Sequence, residues 1–296
     1  MSDGSARKAI AAALSAALGR RVRVDRWQSV GGGCISHASR IDTDAGQFFV
    51  KWNAEAPPDL FEAEARGLRE MAKARSSLAI PSVLAAAGPR GECPAFIAME
   101  YLEPEAAHAP ADEEVLGRGL AQLHRARAKQ FGFAGDAYCG STRQANAWGD
   151  SWPEFYAERR LRPLLRSLER ERGLAASDHA LYEGVIARLR ELLPAEATPS
   201  LIHGDLWSGN VLWTTRGPAL VDPSCAYAER EMEFGITLLF GGLPPRAWSA
   251  YLEAWPLPAG WRERNPLYQL YHLLNHYLIF GGGYGAQARQ VAKPFA

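Results

Sequence analysis

The stretch Leu201-Ile202-His203-Gly204-Asp205-Leu206-Trp207-Ser208-Gly209-Asn210-Val211-Leu212, followed twelve residues after Asn210 by Val221-Asp222-Pro223, decides how this chain reads. It sets two carboxylates and one carboxamide at the spacing that a phosphoryl-transfer site needs: one Asp to orient an attacking hydroxyl, an Asn and a second Asp to hold magnesium. Such a reaction asks a protein mainly for positioning and charge neutralisation, so the parts are few, polar and carried on rigid elements. Asp205 fits the base. Asn210 offers a neutral oxygen to a hard cation and Asp222 a charged one, as magnesium prefers oxygen ligands. The apolar runs Val211-Leu212-Trp213 and Ala219-Leu220-Val221 flank Thr214 to Pro218, which reads as a short hairpin bringing Asp222 beside Asn210. His-Gly-Asp alone is a common turn. His203 and Asp205 also read as a metal pair, but no second His/Cys cluster at ligand spacing accompanies them.

Working outward, Gly31-Gly32-Gly33-Cys34 is preceded by the alternating Val22 and Val24 and followed by Ile41, Phe48, Phe49, Val50 and Lys51. The pattern is strand, glycine turn, strand, and glycines in such a turn let backbone amides approach a phosphate closely. By itself a glycine triplet is an ordinary hairpin turn. Phe61, Ala65, Leu68 and Met71 then recur on one helical face, which places Glu64 where it can reach back to Lys51. A Lys held by Glu against the phosphates is a kinase arrangement. Ile80 to Leu84 and Ala95 to Leu102 are two more strand-like runs, and the second resembles the last strand of a kinase small lobe entering its hinge. That resemblance implies that Met99 lines the back of an adenine pocket, with backbone groups of Glu100 and Leu102 bonding the purine edge.

Taken together, these segments resemble the fructosamine kinase (ketosamine-3-kinase) family, whose fold is shared with aminoglycoside phosphotransferases and choline kinases. The resemblance is carried by Val30 to Ser36, Phe48 to Lys51, Phe61 to Leu68, Gly140 to Asn146, His203 to Asn210, Asp222 to Ser224, Phe240 to Leu243 and Tyr268 to Gly282, and spans roughly Leu18 to Tyr284. It implies an α+β, two-lobed protein-kinase-like fold, with ATP and Mg2+ as cofactors. It further implies phosphorylation of the 3-hydroxyl of a small-molecule or protein-attached ketosamine, a deglycation repair. On this reading Asp205 is catalytic and Asn210 and Asp222 hold the metal. Gly31, Gly32, Gly33, Lys51, Glu64, Met99, Glu100 and Leu102 serve the nucleotide.

Trp207 separates this family from aminoglycoside phosphotransferases, which usually carry His there; a buried aromatic packed beneath the catalytic loop is the alternative role. Ser208, Ala137, Ala228-Glu229 and Glu233 depart from the family's commoner residues and bear on acceptor preference, Glu233 lying in a helix expected to brace the catalytic loop. Competing readings are a kinase for another hydroxyl acceptor (an aminoglycoside, amino alcohol or sugar) and a nucleotide-binding pseudokinase. Retention of Lys51, Glu64, Asp205, Asn210 and Asp222 argues against the latter.

Lys plus Arg equals Asp plus Glu at 33 each, so the chain lacks the basic excess that a nucleic-acid or anionic-membrane partner would want. Cys34, Cys93, Cys139 and Cys225 lie far apart without paired spacing, as reduced thiols of a cytoplasmic protein do. Cys34, beside Lys51 in the glycine turn, reads either as a redox-sensitive thiol or as a small residue that fits the turn. Ala9 to Leu18 reads as a first helix ended by Gly19 rather than as a signal segment, and no apolar run reaches the ~20 residues of a membrane span.

Residues 1–103 are expected to form a small lobe of antiparallel strands with helices. Pro104 to Pro110 would be a loose connection, and 104–296 a mostly helical large lobe. Its helices are expected at Glu113 to Ala128, Trp152 to Arg172, His179 to Leu193, Phe234 to Phe240, Pro245 to Trp255 and Pro266 to Phe280. The charge run Glu158 to Arg172 reads as a solvated face, and Tyr156, Arg159 and Arg160 as either cleft or surface residues.

Overall fold

The structure, a computed structural model, describes residues 3–31, 36–194 and 196–296. Gly32, Gly33 and Cys34 lie outside the described residues, and with them the phosphate-turn and redox-thiol readings.

Helix α1 (Asp3–Ala17) is followed by strands β1 (Val24–Ser29), β2 (His37–Thr43) and β3 (Gly46–Asn53), helix α2 (Leu60–Lys73), and strands β4 (Val83–Ala87) and β5 (Ala95–Glu100). The five strands form one antiparallel sheet in the order β1-β2-β3-β5-β4. Side chains alternate across a strand, and β3 uses both faces. Val50 and Trp52 are buried with Ile41, Phe96 and Ala98 against Ala6, Ile10 and Leu14 of α1, while Phe49 and Lys51 line the cleft on the opposite side. Helix α1 begins well before the expected Ala9, and Gly19 closes it in the left-handed conformation at φ 65°. In α2, Phe61, Ala65, Leu68 and Met71 are buried as one stripe, and Glu64, one turn from Phe61, faces the sheet.

The connection after β5 is not loose. Glu105 N–H donates to Trp213 O at 2.9 Å and Thr215 N–H to Glu103 O at 3.1 Å, so the segment is tied to residues 213–215 by backbone bonds. Apolar periodicity cannot report such main-chain pairing.

The remainder is mainly helical: α3 (Pro110–His124), a small hairpin β6 (Ala137–Cys139) and β7 (Thr142–Gln144), α4 (Trp152–Tyr156), a π-helical turn over Ala157–Leu161, α5 (Arg162–Arg172) and α6 (Ala176–Leu192). Then come β8 (Ser200–Ile202), β9 (Val211–Thr214), β10 (Gly217–Leu220), β11 (Ala226–Ala228), α7 (Glu233–Phe240), α8 (Pro245–Ala254), α9 (Trp261–Phe280) and α10 (Tyr284–Ala292). Helix α3 ends before the expected Ala128 because Ala126 O accepts from Leu201 of β8 and Ala128 N–H donates to Pro199, just before that strand. Helix α9 starts five residues before Pro266, so that proline lies inside the helix, in its second turn, where it withholds one amide from the ladder. Its Leu270 and Leu274 pack with Trp152, Tyr156, Leu168, Val185 and Leu189 in one core. No described helix is long and apolar enough to cross a membrane.

Candidate active site

Strands β8 and β11 pair antiparallel, Ala226 opposite Ile202, and the loop leaving β8 carries His203, Gly204 and Asp205. Gly204 sits at φ 80°, and a Cβ there would lie 2.2 Å from Ser224 O, so only glycine fits this crossing. The fully buried Glu233 accepts hydrogen bonds from His203 N (2.6 Å) and Gly204 N (2.9 Å), and lies 3.4 Å from His124 Nε2. His203 Nε2 lies 2.8 Å from Val221 O, and its Nδ1 accepts from Asp205 N at 3.3 Å. Both nitrogens of His203 are therefore spent on backbone, which removes it from the metal-pair reading. It locks the Asp205 loop to the segment carrying Asp222.

The cleft between sheet and helices encloses about 400 Å³ and is lined by Lys51, Glu64, Asp205, Asn210 and Asp222 among others. Asn210 Nδ2 donates to Asp205 O (2.8 Å) and Oδ2 (3.3 Å). The β9–β10 hairpin pairs Leu220 with Val211, and Val221 N–H continues the ladder to Asn210 O at 3.1 Å, which carries Asp222 to Asn210. Asp222 adopts the left-handed conformation at φ 57°, uncommon for a residue with a Cβ though less so for Asp. Lys51 Nζ donates to Glu64 Oε2 (2.9 Å) and Asp222 Oδ1 (2.7 Å). Burial works against the Lys51 charge, but Asp222 and Glu64 override it and hold the ammonium protonated. Burial, and then the neighbouring Asp222 charge, pushes Asp205 up to about 7.

At the far end of the cleft, Met99 is buried behind Phe49, its cross-strand partner. Glu100 N–H donates to Ser82 O at 2.8 Å, so that residue offers the cleft only its carbonyl. Leu102 lies in the lining, as does Gly31, the described part of the glycine turn.

This geometry can be set against known proteins. The fructosamine kinase family model matches residues 6–295. The chain belongs to the fructosamine kinase family. It is 38% identical over 287 residues to a chloroplastic protein-ribulosamine 3-kinase of Arabidopsis thaliana, covering 94% of this chain and 84% of that protein. The solved structure of a fructosamine-3-kinase candidate from Thermobifida fusca superposes with a TM-score of 0.84 at 35% identity, covering 96% of this chain and 97% of the other. An aminoglycoside phosphotransferase superposes with a TM-score of 0.63 at 15% identity over the full length of both chains, a likeness of fold alone. The fold is the α+β, protein-kinase-like one, and the enzyme is a phosphotransferase acting on a hydroxyl acceptor.

Several expectations about this family member change on the structure. Trp207 is not packed beneath the loop: it is 37% exposed and lines the cleft. A Cβ on Gly209 would lie 2.3 Å from its ring, so glycine there makes room for the indole. Of the atypical residues, Ala137, Ala228, Glu229 and Glu233 are all buried away from the cleft lining, and Glu229 accepts from Thr198 N at 3.2 Å. They act on the framework; only Ser208, exposed beside Trp207, adjoins the cleft. Tyr156 and Arg160 are buried rather than on a surface or in the cleft, with Tyr156 Oη donating to Leu267 O (2.6 Å) and Arg160 to Asn146 Oδ1 (2.7 Å). The sequence reading missed Tyr138, which lines the cleft, and took Cys139 only as a reduced thiol, not as a neighbour of Asp205. The local signals are the adjoining Gly140 to Asn146 segment of the resemblance and Gly140 itself, left-handed at φ 63°, which closes the β6–β7 turn.

Proposed function

We propose that this chain transfers the γ-phosphoryl group of ATP to the 3-hydroxyl of a ketosamine, free or protein-attached, so that the labile product releases its amine and reverses glycation. The observation that carries the reading is the convergence of Lys51, Asp205, Asn210 and Asp222 on one cleft whose apolar end is floored by Met99. The part up to Glu103 would hold the nucleotide and the rest the acceptor. Lys51, kept charged and oriented by Glu64, would meet the phosphates, while Gly31 lies over them, the Glu100 carbonyl and Leu102 amide meet the purine, and Met99 backs the ring.

The residues present fit magnesium. The Nδ2 of Asn210 is committed to Asp205, which leaves Oδ1 for a ligand, and Asp222 has one oxygen on Lys51 and one remaining. Both are the hard oxygens this ion prefers. Magnesium, when bound, supplies neutralisation of phosphate charge. Asp205 would accept the proton of the 3-hydroxyl as that oxygen attacks, a contribution of ~100- to 10,000-fold. Trp207, at the mouth, would stack on the sugar.

The test is ketosamine-dependent ATP turnover across acceptors of four, five and six carbons, with Asp205→Ala and Asp222→Ala as controls. Both variants are expected to remain folded and inactive. Near wild-type turnover in either would sink the assignment.

A further inference from the structure

We propose that Cys139 is a positioning residue for this reaction: its buried S–H, oriented by Asn275, pins the Asp205 carboxylate in the rotamer that meets the acceptor hydroxyl. The proposal rests on the reading of Asp205 as base and adds to it a group that touches neither substrate nor nucleotide.

Cys139 ends β6, and its hairpin is anchored from two sides. Gln144 donates through Nε2 to Tyr271 Oη at 2.7 Å and accepts from Ser224 Oγ at 2.8 Å. The thiol, in a residue 2% exposed, is thereby carried to the side of Asp205 away from the cleft, with Sγ 3.7 Å from Asp205 Oδ1. Asn275, 1% exposed, donates through Nδ2 both to Cys139 O (3.2 Å) and to Cys139 Sγ (3.3 Å).

The direction of this chain is set by chemistry. A carboxamide NH2 only donates, so the sulfur accepts from Asn275 and the single thiol hydrogen is left for another partner. One ring nitrogen of His272 lies within 4.8 Å of both the thiol and the carboxylate. Asp205 is the better acceptor of the two, being a carboxylate when it acts as base. Burial first, and then the Asp205 charge, hold the Cys139 thiol well above its ordinary range, so the proton stays on sulfur. The same trio is a poor cation site, because the buried Arg160 guanidinium, whose hydrogen bonds among the described residues go to uncharged oxygens, adds positive charge nearby.

Asp205 thus has one donor on each oxygen: Cys139 on Oδ1 and Asn210 Nδ2 on Oδ2. Two donors from separate elements fix the carboxylate plane; one alone leaves it free to turn. Misalignment of a base lowers the rate of the chemical step while leaving nucleotide binding intact.

Purified full-length Cys139→Ala and Cys139→Ser are to be compared with wild type in steady-state assays with ATP and a fructosamine. The alanine variant is expected to lose roughly tenfold or more in kcat, as for a hydrogen bond to a charged group, with the KM for ATP unchanged. Serine, which keeps a donor, is expected to recover most of the loss. An infrared difference spectrum, wild type minus Cys139→Ser, reads the S–H stretch directly. A band at hydrogen-bonded frequency that shifts in Asp205→Asn supports the proposal even if Cys139→Ala fails to fold. A wild-type kcat in Cys139→Ala, or an S–H band indifferent to Asp205→Asn, overturns it. Failure of the catalytic reading itself is distinct, since it shows as surviving turnover in Asp205→Ala.

Discussion

Lys51 Nζ sits 2.7 Å from Asp222 Oδ1 and 2.9 Å from Glu64 Oε2, so one ammonium joins β3, α2 and the segment after β10. The two partners are unlike. Glu64 is 10% exposed at its side chain and Asp222 43%, so the first pairing is part of the interior and the second is open to the cleft.

Removing the cation strands Glu64 in the interior. Lys51→Met is therefore expected to abolish turnover and to destabilise the fold by about 3 kcal/mol, the scale of breaking a buried pair from one side. The double variant Lys51→Met, Glu64→Leu should recover most of that stability and none of the activity. Urea unfolding of the three proteins checks this, and equal midpoints for the single and double variants would refute it.

Asp205 is a burden on the fold, because burial works against its charge. Its folded carboxyl holds a proton up to about 7, against 3.8 for an unperturbed Asp. Across that window the folded state binds more protons than the unfolded one, so this group makes stability fall as pH rises from near 4 to near 7, and its full penalty persists above. Asp205→Asn removes the penalty. It is expected to lose ~100- to 10,000-fold in turnover yet to melt higher than wild type at pH 8, with the difference gone near pH 4. Thermal melts at both values measure it.

Gly209 and Trp207 make a steric pair in which the glycine gives space to the indole. Gly209→Ala is expected to keep the fold, because the ring is exposed and able to swing away. It should raise the KM for ketosamine several-fold while moving that for ATP little. Trp207→Ala should do the same, and the double variant should be no worse than either single one.

Glu233 takes the backbone amides of His203 and Gly204 from a fully buried position. Glu233→Gln turns an NH2 toward at least one donor, which leaves a buried N–H without an acceptor. A loss of about 2 kcal/mol is expected, together with reduced kcat, and calorimetry alongside kinetics separates this variant from Asp205→Asn, whose stability moves the other way.

Much of the site is local in the chain and therefore readable from it. Asp205 and Asn210 share one loop, and Asn210 and Asp222 are separated by a single hairpin, so short-range spacing already implies their juxtaposition. Glu64 lies one helical turn from a buried Phe61, and period alone predicts that it faces β3. By contrast, Cys139 and Asn275 are brought to Asp205 by the packing of a short hairpin and α9 against the loop, with sequence separations of 66 and 136 residues in the two bonds that join them. Neither carries a periodic or turn signal that names its partner. The exposure of Trp207, the burial of Arg160 and the tethering of residues 103–105 to β9 belong to the same class.

The chain by itself determined the kind of chemistry and the family, because phosphoryl transfer rests on a few polar residues whose spacing is set by one loop and one hairpin. Only the tertiary structure decided how each group is held: which nitrogen of His203 meets which backbone atom, which donor meets each oxygen of Asp205, and that Trp207 lines the cleft. Those are matters of side-chain direction and burial between distant segments, which arise when the core closes.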